Sequence, residues 1–100
     1  MTLYETRKYY LSRIRDLREE SVIALQNFLE ENGFDDVDVV DTKENKVGRL
    51  MVACRYAYED QEICFYPYLK NGELGKNATW HSRFLKEGEF ETRFRKVEDK

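Results

Sequence analysis

Three groups of residues in this chain have types and spacings that invite chemistry. The first is His81 with Cys54 and Cys64. A thiol becomes a nucleophile when its pKa is lowered by a nearby base or a helix N-terminus. A Cys–His pair also needs a third group to orient the base and donors to receive an oxyanion. No stretch of the sequence supplies either, and neither cysteine stands where a helix would begin. Cys54 and Cys64 flank a turn at Glu59 symmetrically, so they are expected as near neighbours on adjacent strands. Directly opposed Cβ atoms lie about 4.5 to 5.5 Å apart, wider than the roughly 3.8 Å of a disulfide. Two small buried thiols are therefore expected. Zinc-site patterns, a P-loop and a GxGxxG turn do not occur. The chain reads as non-enzymatic, without cofactor or metal.

The second group is acidic: Glu30, Glu31, Asp35, Asp36, Asp38, Asp41 and Glu44. A calcium loop of the EF-hand type needs a glycine and a final glutamate at set positions, and this run has neither arrangement. Alternate strand residues recur about every 6.7 Å, while phosphates along one DNA strand recur about every 3.4 Å of axis. A row of carboxylates can thus roughly imitate nucleic-acid phosphates and address a basic groove on another protein. Charges on an edge strand also prevent edge-to-edge aggregation, which is the purely structural use of such residues.

The third group is basic and aromatic: Trp80, Arg83, Lys86, Arg93, Arg95 and Lys96, with Phe84 and Tyr66 nearby. Stacking rings and cations suit single-stranded nucleic acid. Glu87, Glu89 and Glu91 are interleaved with them, which blunts tracking of a phosphate backbone.

The charge distribution favours the acidic group. The net charge is −3, but residues 30–62 carry four basic and ten acidic side chains, a local −6, against +1 for residues 1–29 and +2 for residues 63–100. The acid gathers where a helix C-terminus would prefer cations.

The elements that must position these groups follow from periodicity. Thr2 and Glu5 fit a capping box. Asn32 and Gly33 fit a Schellman ending in which Phe34 folds back on Leu29. Between them there is no Pro or Gly. Tyr10, Ile14, Leu17, Ala24 and Phe28 form one apolar row, and Leu11, Val22, Leu25 and Leu29 a second, with Ser21 weakening the stripe. One long helix is predicted from Thr2 to Phe34. It would span about 45 Å, more than a compact domain of this size needs. It is therefore expected to overhang, to break near Asp16 to Ser21, or to form a dimer seam with a second copy.

Strands follow. Asp36 to Val40 alternates, with Val37 and Val39 inward. Val47 to Tyr58 is the longest strand, with Leu50, Val52, Cys54, Tyr56 and Tyr58 on one face. Glu62 to Leu69 places Ile63 and Phe65 together, opposite Cys64, Tyr66 and Tyr68, and should end at Pro67. Asn71-Gly72 predicts a type I′ hairpin turn. Ala78 to Lys86 fits strand better than helix, because Phe90 to Val97 alternates and Lys86 to Glu89 would close a hairpin. The tyrosines suit a sheet face with one wet side.

One hundred residues form a single domain spanning 1–100. The fold class is α+β: one long N-terminal helix packed on an antiparallel sheet of four to five strands. Hydrophobic content of 41% argues for a folded chain. No apolar run reaches the roughly 18 residues of a membrane span. There is no secretory signal, so a cytoplasmic location with reduced thiols is expected. The reading that follows is a small binding protein, an inhibitor or antagonist of the anti-defence kind that phages and mobile elements encode. Its acidic patch would block the basic nucleic-acid-binding surface of a larger protein. The alternative is a single-stranded nucleic-acid-binding module built on the basic and aromatic C-terminal strands.

Overall fold

A computed structural model of the chain describes residues 2–11, 18–54 and 61–97, apart from the side chains of residues 10, 11, 18–21, 54 and 84. The N-terminal region holds two helices in place of the single rod expected from its periodicity. Helix α1 spans Leu3–Leu11 and α2 spans Arg18–Glu31. They pack against each other, so they cannot be collinear. Folding back has a clear physical reason. Leu3 at one end and Leu29 at the other are both 0% exposed within one hydrophobic cluster, which an overhanging rod would leave in water. Residues 12–17, where Ile14, Leu17 and the start of the expected break at Asp16 to Ser21 fall, lie outside the described residues, while Arg18 to Ser21 are already helical.

Both end signals hold. The Thr2 N–H donates to Glu5 Oε1 at 3.1 Å, and the Glu5 N–H donates to Thr2 Oγ1 at 3.1 Å. At the far end Gly33 takes φ +75°. The Phe34 N–H reaches the Leu29 carbonyl at 2.8 Å, and the Gly33 N–H reaches that of Glu30 at 3.1 Å, the two bonds of a Schellman motif.

Five strands form one antiparallel sheet. They are β1 (Val39–Asp41), β2 (Lys46–Cys54), β3 (Gln61–Pro67), β4 (Trp80–His81) and β5 (Phe94–Lys96), in the order β4-β3-β2-β1-β5. The helices cover the face that carries Val39, Leu50, Ile63 and Phe65. Ala24, Leu25, Phe28 and Leu29 of α2 are buried in this core. Gly48 lies opposite Pro67, and a Cβ there would stand 2.1 Å from the Tyr66 carbonyl oxygen, so only glycine allows the two strands to close here.

Three local expectations change. The turn after β3 is not type I′, because among the described residues only Asp36 and Asn45 are non-glycine positions with positive φ, and Asn71 is not one of them. Instead Gly72 donates to the Leu69 carbonyl and Leu69 to that of Glu73, a three-residue loop with the left-handed position at Gly72. The second change is at residues 80–86, where a two-residue strand gives way to a 3-10 turn over Ser82–Phe84. The third is Glu89–Arg93, which is helical (α3) and leads directly into β5. Strand β5 pairs with β1 and not with β4, so no hairpin closes at Gly88. A spacing of four brings Phe90 and Phe94 together under either period, two or 3.6, and this is why alternation misled. Gly88 at φ +79° starts the turn.

Candidate functional site

The C-terminus of α2 opens onto the acidic segment. Its last turn holds no basic residue. Glu30, Glu31, Asp35, Asp36 and Asp38 are all exposed around it. The Gln26 amide ties two of them together, donating to Asp35 Oδ1 at 2.8 Å and to Glu30 Oε1 at 3.3 Å. Asp36 and Asp38 are partly neutralised by Arg49 of β2, whose Nη1 lies 2.7 Å from Asp36 Oδ1 and whose Nε lies 3.4 Å from Asp38 Oδ1. The Tyr68 hydroxyl donates to Asp38 at 2.5 Å and accepts from Arg49 at 3.0 Å. The Tyr68 bond, then Arg49, holds the Asp38 carboxyl below the usual carboxylate range. Glu30, Glu31 and Asp35 therefore concentrate negative charge at the negative pole of a helix.

Two members of the expected acidic patch stand apart. Asp41 is 0% exposed and faces inward, where Arg93 grips it, so it is not part of any surface. Glu44 is exposed in the turn between β1 and β2, at the opposite end of β1 from Asp38. The patch thus contracts to five residues at the α2 end.

Of the basic and aromatic group, Trp80 and Arg93 are brought together, but not as an exposed platform. Trp80 is 8% exposed, with its ring edge-to-face on Phe94 at 4.7 Å, so it is not offered to a base. Arg93 is engaged by Asp41 and lies over the Trp80 and Phe94 rings. Lys96 crosses to the α2 terminus, with Nζ 5.3 Å from the centre of the Phe34 ring. Arg83 and Lys86 follow β4 at one edge of the sheet, while Arg95 lies on β5 at the other. Tyr66 is half-buried on β3, where burial first and the Cys64 thiol second raise its phenol pKa.

The thiols and histidine are arranged differently from expectation. Cys54 pairs with Gln61 and Cys64 with Met51, so the two positions are offset by three residues along the ladder. Cys64 is instead the cross-strand partner of His81. Cys64 is 2% exposed, and its thiol lies 3.9 Å from the Ala53 carbonyl. His81 Nδ1 accepts from the Arg83 N–H at 3.3 Å. Among the described residues no group of three His, Cys, Asp or Glu side chains is placed to hold a metal ion. No described helix is long and apolar enough to cross a membrane.

A feature absent from the sequence reading lies beside the acidic end. A groove of about 410 Å³ runs between α1, the end of α2 and α3. Phe28, Phe34, Phe90 and Phe94 form its apolar part, with Thr2, Glu5, Asn32 and Glu91 around them. Glu91 Oε1 accepts from the Leu3 N–H at 3.2 Å, which joins α3 to the start of α1. The only sequence signal for this groove was the fold-back of Phe34. No protein-family model, curated protein or solved structure matches the chain.

Proposed function

We propose that this protein is a non-catalytic antagonist that occupies a cationic, nucleic-acid-binding surface on a larger protein. The observation that carries this reading is the grouping of Glu30, Glu31 and Asp35 at the C-terminus of α2, where the helix itself contributes negative charge and no basic residue stands in the last turn. Carboxylates here oppose helix stability, and a local cost kept at one place is the signature of a used surface. Complementary charge of this kind sets partner choice and association rate more than bulk affinity.

The test uses the tagged protein as bait in cell extract. The expected result is capture of a nucleic-acid-handling protein that is released by duplex DNA and by salt, while the chain alone does not retard single- or double-stranded oligonucleotides at low salt. Retardation that is lost in Arg83→Ala, Arg95→Ala would overturn this reading in favour of direct nucleic-acid binding.

A further inference from the structure

We infer that the groove beside α2 receives an apolar side chain flanked by basic residues on the partner protein, an inference that rests on the antagonist reading. Phe28 and Phe34 supply an apolar floor, and Glu5 and Glu91 stand at the rim. Among the described residues each of these carboxylates accepts hydrogen bonds through Oε1 alone. A carboxylate has about four acceptor sites, so both keep capacity for an arriving ammonium or guanidinium. Asn32 and Phe34, which line the groove, lie between Glu31 and Asp35 in the chain, so the groove borders the acidic end. Negative charge at the rim of an apolar trough selects a basic segment with one apolar anchor, and it disfavours an acidic or wholly polar one.

The test is a ¹H–¹⁵N NMR titration of the full chain with the peptide Gly-Arg-Lys-Trp-Arg-Lys-Gly. Two control peptides replace the tryptophan by serine or all four cations by serine. The expected result is shift changes at Asn32, Phe34 and Glu91, with Kd weakened about tenfold or more when the tryptophan is removed. Phe34→Ala should weaken the parent peptide similarly, and its spectrum shows whether it folds. The comparison of peptides on the unaltered chain does not depend on that variant. Changes confined to Glu30, Glu31 and Asp35, with the serine peptide bound equally well, overturn the groove while leaving the acidic-surface reading intact. Absence of any binding by the cationic peptides overturns the groove, whereas the antagonist reading is judged separately by capture of its partner.

Discussion

Arg93 holds Asp41 by two parallel bonds, Nε to Oδ1 at 2.9 Å and Nη2 to Oδ2 at 2.8 Å, on the covered face of the sheet. Their side chains are 11% and 0% exposed. The pair locks α3 to β1, and Asp41 also accepts from the N–H groups of Lys43 and Glu44 to shape the next turn. Removing one member leaves a buried charge unpaired, which costs about 3 to 5 kcal/mol. Arg93→Met and Asp41→Leu should each lower the urea midpoint strongly, and the double variant should lose much less than the two losses combined. Additive losses would show that the two residues act independently.

The same carboxylate makes stability depend on pH. Burial alone would raise its pKa, yet the Arg93 bonds and the Glu44 and Lys43 N–H groups together hold it below the usual carboxylate range. A group lowered in the folded state stabilises above its unfolded pKa of about 3.9, and that contribution is lost as pH falls toward the folded value. Wild-type stability should therefore fall more steeply below about pH 4 than that of Asp41→Asn. Urea midpoints measured at intervals from pH 6 downward check this, and parallel curves would contradict it.

A second internal polar cluster fixes α1 to the sheet. Arg7 contacts Glu62 through Nε at 2.8 Å and Nη2 at 2.7 Å, while Ser82 Oγ donates to Glu62 at 2.7 Å and accepts from the Ile63 N–H at 3.0 Å. Ser82→Ala leaves that buried N–H without a partner and removes one of the two donors to Glu62 Oε1, at a cost of about 1 to 3 kcal/mol. Arg7→Ala should loosen α1 first. Hydrogen exchange that accelerates in α1 before the rest of the chain is the expected outcome, and uniform acceleration would argue against a local anchor.

Much of this frame was legible from residue types, and the gaps have physical causes. Thr2, Glu5, Gly33 and Phe34 were readable because caps are local and short-ranged. Ile63 and Phe65 were readable because residues two apart on a strand share a face, although Glu62 and Cys64 on the other face are buried as well. The division between α1 and α2 was not, since no Pro or Gly marks it and helical periodicity does not reveal a fold-back. Asp41 resembled its exposed neighbours Asp36 and Asp38, because a partner 52 positions away leaves no mark in sequence spacing. The groove is assembled from α1, α2 and the turn after it, α3 and β5, so only the fold brings its four phenylalanines together.

The two glycines that matter most should respond unequally. At Gly33, φ +75° makes Gly33→Ala cost about 1 kcal/mol, since the nearest obstacle is the mobile end of Lys96. At Gly48 the obstacles are the Tyr66 and Pro67 backbones, so Gly48→Ala must spread two paired strands and should cost about 3 kcal/mol or more. Denaturation midpoints in the reverse order would contradict this placement of β2 against β3.

On the antagonist proposal, the location of negative charge, and not its total, recruits the partner. Two baits with equal change in net charge test it most directly. One carries Glu30→Lys and Glu31→Lys at the end of α2, and the other carries Glu73→Lys and Glu87→Lys at exposed sites elsewhere. The predicted result is that the first bait loses the captured nucleic-acid-handling protein while folding at least as stably as wild type, and the second retains it. Equal retention by both baits, or equal loss from both, would contradict the claim.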